Sequence, residues 1–217
     1  MKYCRKILAV LLFLWGMTEM SYIAADYQEG EAIYTEARMQ QLEQTAKEQS
    51  ADMVGWLYMD QIGIDYPVVQ GEDNEFYLTH AYDRTEQAGG SVMMNCDNGP
   101  AFSDLNTILY GHNMKNGTMF GRLKELPALK EELAEIIVET PGGERRYQIL
   151  CIAKVRDDNP IFQMQRTEAE FIPCVEALKG DALYWRERKD DQAGQFLTLV
   201  TCSGEFKLVV IAGYTDL

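Results

Sequence analysis

The β-type character of this 217-residue chain is clearest in Gln195-Phe-Leu-Thr-Leu-Val-Thr-Cys202. Apolar and β-branched residues fill this run, which predicts a strand ending at Cys202. Seven further runs share the pattern, and Asp, Gly, Asn and Pro separate them, as expected for turns. The full set is Val54–Met59, Ile64–Val69, Gly90–Met94, Asn106–Tyr110, Ala134–Thr140, Arg146–Val155, Phe196–Thr201 and Lys207–Tyr214. Eight strands predict a mainly β protein built as a closed or nearly closed barrel.

Helical patterns interrupt and precede these strands. A short helix is predicted around Thr118–Leu126 and a longer one over Thr167–Leu178, with Arg188 as its furthest limit. Residues 26–50 are rich in Glu, Gln, Ala and Arg, and their apolar residues recur at helical steps. We expect residues 26–50 to form an N-terminal helix or stalk, and residues 51–217 to form the barrel.

The N-terminus has the layout of a secretory signal. Three cations within the first six residues precede the apolar run Ile7–Met17, which is shorter than the roughly 20 residues of a spanning helix. Extending the run through Ala25 reaches that length, so cleavage after Ala25 and retention as an anchor are both open. We expect residues 1–25 to be a signal or a single membrane anchor, with the rest of the protein on the outer side of the cell membrane.

The net charge of the chain is −14. Binding to phosphate backbones needs a cationic face, so this charge argues against nucleic acid as a partner. A cationic or amine-bearing partner is favoured electrostatically, whereas the ordinary use of an acidic surface is solubility.

Four cysteines follow the N-terminal segment: Cys96, Cys151, Cys174 and Cys202. Exported proteins normally pair their cysteines or lack them, and four could form two disulfides in three connectivities. Their wide spacing does not match a zinc site, so we expect no metal. The surroundings of Cys151 and Cys174 predict small core residues. Cys202, at a strand end, is a candidate nucleophile, with a buried core cysteine as the alternative.

Two segments closely resemble the signature segments of the sortases, in the version typical of class B. They are Asn106-Thr-Ile-Leu-Tyr-Gly-His-Asn-Met-Lys-Asn-Gly-Thr-Met-Phe-Gly121 and Leu197-Thr-Leu-Val-Thr-Cys202. Supporting similarity runs through Ile64-Asp-Tyr-Pro-Val-Val-Gln70, Asn74-Glu-Phe-Tyr-Leu-Thr-His80 and Ala88-Gly-Gly-Ser91. The resemblance covers roughly residues 50–217, with the blocks in the right order.

This resemblance implies an eight-stranded sortase barrel with an N-terminal helical extension and one long helix inserted before the catalytic strand. It also implies a cysteine transpeptidase held at the membrane of a Gram-positive bacterium, without a metal or organic cofactor. Sortases cut a sorting signal in a secreted protein, hold the protein as a thioacyl-enzyme and pass it to an amine. That amine would belong to peptidoglycan or, in a pilus-polymerising sortase, to a pilin lysine.

The resemblance also assigns the catalytic roles. Cys202 is the nucleophile and His112 its acid and base, with His80 as the backup base. Sortases carry an arginine at the start of the last strand, but here no arginine follows Cys202 and Lys207 opens that strand. We expect Lys207 to replace the arginine, with an ordinary solvated lysine as the alternative. The change leaves open a degenerate fold that binds sorting peptides without turnover, and a peptidase or amidase in which water replaces the amine.

Matching to the family also assigns the substrate groove. Asn74 and Leu78 correspond to groove positions, Ile161 of Pro160-Ile-Phe162 is placed on the groove wall, and Thr201 precedes the nucleophile. Val200 stands where class B enzymes commonly have a serine, so the sorting motif stays open. Turn capping by Asn74, and core packing of Leu78 and Ile161, are the alternatives.

Overall fold

The computed structural model describes Trp15 and residues 51–129, 135–163, 167–188 and 194–215. The expected signal or anchor, residues 1–25, and the expected stalk, residues 26–50, lie outside the described residues apart from Trp15. Within these ranges, none of the helices is long and apolar enough to cross a bilayer.

The described residues form nine strands and two α-helices, connected by loops and short 3-10 turns. The strands are β1 (Met53–Met59), β2 (Ile64–Val69), β3 (Val92–Met94), β4 (Asn106–Tyr110), β5 (Ile136–Thr140), β6 (Gly143–Val155), β7 (Tyr184–Trp185), β8 (Phe196–Ser203) and β9 (Phe206–Thr215). The helices are α1 (Leu126–Leu129) and α2 (Glu168–Glu176).

Eight of these strands close into a barrel. Their order is β5-β1-β2-β3-β4-β8-β9-β6, and β6 pairs back onto β5. The pairs β2–β3 and β4–β8 are parallel, and the other pairs are antiparallel. This arrangement confirms the predicted mainly β, eight-stranded barrel. The ninth strand, β7, is only two residues long and pairs with a part of β6 that lies beyond its pairing with β5.

The wall of the barrel separates two apolar clusters. Leu197 and Leu199 of β8 belong to the larger cluster, whereas Phe196 and Val200 belong to a smaller one that also includes Phe171 of α2. Side chains along a strand alternate between its two faces, so β8 supplies both clusters. The larger cluster fills the barrel, and the smaller one seals α2 against the outside of β4, β8, β9 and β6.

Helix α2 occupies the place predicted for the long helix but is shorter. The backbone N–H of Thr167 donates to Glu170 Oε2 at 3.1 Å and so caps the start of the helix. The helix ends at Glu176, and a 3-10 turn follows at Lys179–Asp181 before the chain extends into β7. The extension toward Arg188 was wrong, because the chain turns back there to pair with β6.

The short helix also differs from the prediction around Thr118–Leu126. Gly117 and Met119 have positive φ angles of 88° and 51°, which a right-handed helix excludes. Helical turns therefore begin only at Leu123 and continue into α1.

Candidate active site

The ends of the parallel strands β4 and β8 bring Cys202 and His112 together. Their last register pair is Tyr110 with Val200, so a further step of two residues on each strand leads to His112 and Cys202. Beyond that pair, two hydrogen bonds continue to connect the two segments. Gly111 N–H donates to the Val200 carbonyl at 3.2 Å, and Thr201 Oγ1 donates to the Gly111 carbonyl at 2.8 Å.

A third bond holds the loop after His112. Asn113 Nδ2 donates to the backbone carbonyl of Cys202 at 2.7 Å. Glycine is required at position 111, because a Cβ there would lie 2.7 Å from the Phe120 ring. These contacts fix the histidine loop against the cysteine strand without any contribution from the two reactive side chains.

Lys207 reaches Cys202 across the β8–β9 hairpin. Cys202 and Lys207 face each other in the register, and the turn closes through Gly204, whose φ is 68°. The Lys207 ammonium donates to Cys202 Sγ at 3.3 Å, and the thiol is exposed. An ammonium at this distance stabilises a thiolate and can also stabilise an oxyanion that forms next to the sulfur.

Lys207 has a second anionic neighbour. Asp157, in the loop after β6, places Oδ1 3.8 Å from Lys207 Nζ. Burial by itself would lower the pKa of Lys207, but Cys202 and Asp157 outweigh that effect, so the pKa lies above its ordinary value. The lysine is therefore charged throughout the physiological pH range.

His112 is half-buried and its ring is anchored by the backbone. Its Nε2 lies 2.8 Å from the carbonyl oxygen of Leu78. A carbonyl can only accept, so Nε2 carries a proton whether the ring is neutral or charged. Nδ1 is then the ring nitrogen whose lone pair can accept a proton.

These three side chains lie along a cleft of about 320 Å³. Asn74, Leu78 and Thr201, which the sequence assigned to substrate binding, also line it. The further lining residues are Met93, Tyr110, Gly111, Asp157, Phe162 and Val200. Apart from the group around Cys202, the walls are mostly apolar.

The four groove assignments differ in how well the structure supports them. Leu78 is 38% exposed in the cleft, which excludes core packing. Asn74 lines the cleft and also accepts a 2.9 Å bond from the backbone N–H of Cys96, so it fixes a loop as well. Thr201 is buried, and its hydroxyl donates a hydrogen bond to the Gly111 carbonyl.

The structure does not place Ile161 in the cleft. Its side chain is fully buried in the smaller cluster beneath α2, and the next residue, Phe162, lines the cleft instead. The two residues occupy a 3-10 turn in which successive side chains point in different directions. The segment Pro160–Phe162 therefore reaches the cleft through Phe162 and not, as predicted, through Ile161.

The backup base does not reach this cleft. His80 Nδ1 lies 2.9 Å from the Phe76 carbonyl, and its ring stacks on the Phe76 ring with centroids 4.0 Å apart. His80 is not among the residues that line the cleft. His112 is therefore the histidine that accompanies Cys202.

The other cysteines that the structure describes are not linked to one another. Cys96, Cys151, Cys174 and Cys202 are all free thiols, so none of the disulfide pairings that their number allows is formed. Cys151 is buried, as predicted, and burial raises its pKa to about 12. Cys174 is only half-buried on α2, where its thiol donates to the Glu170 carbonyl at 3.3 Å. Within the described ranges, no group of three or more His, Cys, Asp or Glu side chains is placed to hold a metal ion.

Comparison with known proteins identifies the family of this barrel. The sortase-domain family model matches residues 57–214. The chain belongs to the sortase family.

The relatives of this sortase are class B enzymes, which confirms the class indicated by the sequence. It is 33% identical over 158 residues to sortase B of Listeria monocytogenes, an alignment that covers 71% of this chain and 64% of that protein. The match therefore spans less than two thirds of the Listeria protein. Identity to sortase B of Staphylococcus aureus is 27% over 171 residues, covering 74% and 69% of the two chains.

A solved structure shares the fold. Sortase B from Bacillus anthracis, in complex with AAEK1, superposes with a TM-score of 0.77 at 26% identity, over 88% of this chain and 99% of that one. The barrel described above is thus the class B sortase barrel.

Two positions at which the sequence is expected to differ from the family pattern, Lys207 and Val200, both line the cleft. The Lys207 ammonium, expected to replace the family's arginine, contacts the Cys202 sulfur. Val200, where a serine is common in class B, is almost fully buried and gives the cleft an apolar floor.

Proposed function

We propose that this protein is a cysteine transpeptidase that cleaves a C-terminal sorting signal in secreted proteins and transfers them to an amine of peptidoglycan. Membership of the sortase family supports this chemistry. The observation that carries the proposal is the arrangement of three groups in one cleft. Cys202 is exposed, Lys207 lies 3.3 Å from its sulfur, and His112 comes from the neighbouring strand end.

In the acylation step, the Cys202 thiolate attacks the carbonyl carbon of the scissile amide. The carbonyl π electrons move onto the oxygen, and the Lys207 ammonium stabilises that charge. When the oxyanion collapses, the C–N bond breaks and the leaving amine takes a proton from His112. The product is a thioester on Cys202 and a free amine, with His112 left neutral.

The deacylation step runs these events in reverse with a different amine. The incoming amine attacks the thioester carbonyl and gives a proton to His112. The tetrahedral intermediate then expels the Cys202 thiolate, which returns the ion pair of thiolate and imidazolium. One amide has replaced another, so the reaction needs no oxidant, reductant or cofactor.

The cleft walls fit an extended peptide with an apolar side chain near the scissile bond. Leu78, Met93, Phe162 and Val200 supply the apolar surface, and Asn74 supplies an amide at its edge. Pockets with apolar walls and a few convergent polar groups are typical of specific ligand sites.

We also propose a location for the enzyme from the pattern of its N-terminal residues. We place the catalytic barrel outside the cell membrane and assign residues 1–25 as its single anchor, because a cationic start precedes an apolar run there. Secreted proteins that carry a sorting signal, and the amines of the cell wall, would meet the enzyme on that side.

Intact-protein mass spectrometry tests the proposal. Residues 26–217 are mixed with sorting-signal peptides of the Asn-Pro-x-Thr-Asn and Leu-Pro-x-Thr-Gly types, in parallel with Cys202→Ala. We expect the mass of the N-terminal peptide fragment to be added to the parent protein only. A folded protein that binds these peptides without forming the adduct would instead be a binding module.

Added amines separate the remaining possibilities. An α-amino peptide and a peptide with a lysine side-chain amine are supplied to the acyl-enzyme, and the product is identified by mass. A transpeptidase shifts its product to the amide of one amine, and the preferred amine distinguishes a cell-wall acceptor from a pilin-type lysine. Release of the free acid alone, whatever amine is present, would make the enzyme a peptidase.

A further inference from the structure

Asp157 is the only acidic side chain among the described residues that line the cleft. It lies in the loop that leaves β6, whose last residue, Val155, pairs with Lys207. The chain therefore passes beside the lysine just after the strand ends, which brings the carboxylate to 3.8 Å from Nζ.

Lysine at this position has two weaknesses relative to arginine. Its ammonium is a single point charge without the planar fork that orients a guanidinium, and it can lose its proton, whereas a guanidinium is permanently charged. A lysine that serves as a fixed cation therefore needs partners that keep it in place and protonated.

The titratable groups that line the cleft together with Lys207 come from three parts of the fold. Cys202 belongs to β8, Tyr110 and His112 belong to β4 and the loop after it, and Asp157 belongs to the loop after β6. Burial raises the pKa of Tyr110, so that phenol is neutral. His112 contributes either no charge or a positive one. The neighbours of the ammonium that can carry negative charge are thus the Cys202 sulfur, as a thiolate, and the Asp157 carboxylate.

These two anions behave differently during catalysis. The charge on Cys202 disappears when the sulfur becomes part of a thioester, whereas the Asp157 carboxylate persists through the whole cycle. We propose that Asp157 is a positioning residue for Lys207, which it holds beside Cys202 during the thioacyl stage. This inference rests on the proposed transpeptidase function.

The ion pair between Asp157 and Lys207 is weak in the free enzyme and becomes stronger when substrate is bound. The Asp157 side chain is 74% exposed, and exposed pairs of this kind contribute little because water screens them. A peptide that fills the cleft excludes water and lowers the local dielectric constant, which strengthens the pair. The effect should therefore fall mainly on kcat, and within the cycle mainly on aminolysis of the thioester.

The test compares Asp157→Asn with the parent and with a matched control, Asp158→Asn. Asp158 is the next residue, is exposed, and lines a different groove. For Asp157→Asn we expect kcat to fall about two- to fivefold with little change in KM. The acyl-enzyme should accumulate to a higher steady-state fraction by intact mass, and the alkaline limb of the kcat–pH profile should move to lower pH. Asp158→Asn should match the parent in all three.

A second background isolates the role of Lys207. In Lys207→Arg the cation keeps its proton without help, so adding Asp157→Asn should not move the alkaline limb and should change the acyl-enzyme fraction less. An effect of equal size in both backgrounds would overturn the proposal, because Asp157 would then act by another route. Equal acyl-enzyme fractions in Asp157→Asn and the parent would also overturn it.

A measurement without substrate keeps this inference separate from the proposed function. The pKa of Lys207 is read by NMR from the titration of its 13C-labelled Cε, assigned by its loss in Lys207→Arg. We expect a lower pKa in Asp157→Asn and no change in Asp158→Asn. A parent protein that never acylates would refute the proposed function alone. Equal Lys207 pKa values in Asp157→Asn and the parent would refute the pairing.

Discussion

Replacing Lys207 with alanine removes the ammonium that lies 3.3 Å from the Cys202 sulfur. At that separation, unit charges interact by about 5 kcal/mol with an effective dielectric constant of about 20. The Lys207 side chain is 31% exposed, so solvent screens part of this energy. Only the part that grows as the oxyanion forms contributes to the rate. Loss of one oxyanion donor typically costs about 10²–10³ in rate, or about 2.7–4 kcal/mol.

We therefore expect Lys207→Ala to lower kcat/KM about 10²–10³-fold, mostly through kcat. The assay is steady-state cleavage of an internally quenched sorting peptide in the presence of a saturating amine. Alkylation of Cys202 by iodoacetamide at neutral pH should also slow, because the thiolate loses its cationic neighbour. Lys207→Arg is the control that keeps the charge. If Lys207→Ala turned over peptide as fast as the parent, Lys207 would be a surface lysine and the reasoning would fail.

Three further predictions test the fold around the site. Ile161→Ala should cost about 2–5 kcal/mol of unfolding free energy in urea and leave KM unchanged, whereas Phe162→Ala should raise KM with little loss of stability; the opposite result would return Ile161 to the groove. Thr201→Val, which removes the 2.8 Å bond to the Gly111 carbonyl, should cost about 0.5–1.5 kcal/mol in the same assay and lower kcat, and an unchanged kcat would show that the bond does not position the site. Gly111→Ala forces a Cβ to 2.7 Å from the Phe120 ring and should cost about 1–3 kcal/mol, measurable as a lower Tm; an unchanged Tm would mean that the ring moves freely.

The local sequence pattern was sufficient for most of the strands. Side chains of β8 alternate between two buried clusters, so the strand appears in the sequence as a continuous run of apolar and β-branched residues. β7 was not predicted, because two residues carry no period and their pairing depends on where α2 ends. The short helix was placed several residues early, because the positive φ at Met119 comes from its surroundings and not from the residue type.

In the active site, too, some features could be predicted from the sequence and others could not. Cys202 and His112 could be predicted as candidates because their segments resemble known signature segments, and the pairing of β4 with β8 brings the two strand ends together. Asp157 could not be found, because its place beside Lys207 depends on a pairing between residues 155 and 207. Phe162 was missed in favour of its neighbour, because hydrophobicity alone does not reveal which way each residue of a tight turn faces.

The parallel pairing of β4 with β8 determines when, during synthesis of the chain, the active site can form. Gly111 and Thr201 lie 90 residues apart, and a ribosome that adds about 5–20 residues per second needs several seconds to cover that distance. During this interval β4 lacks one of its two neighbours and the ring remains open. The last two strands of the chain, β8 and β9, complete the ring, and β8 bears the Cys202 thiol. The pairing that brings Cys202 beside His112 is therefore part of ring completion, and a chain that has not yet added β8 lacks the thiol.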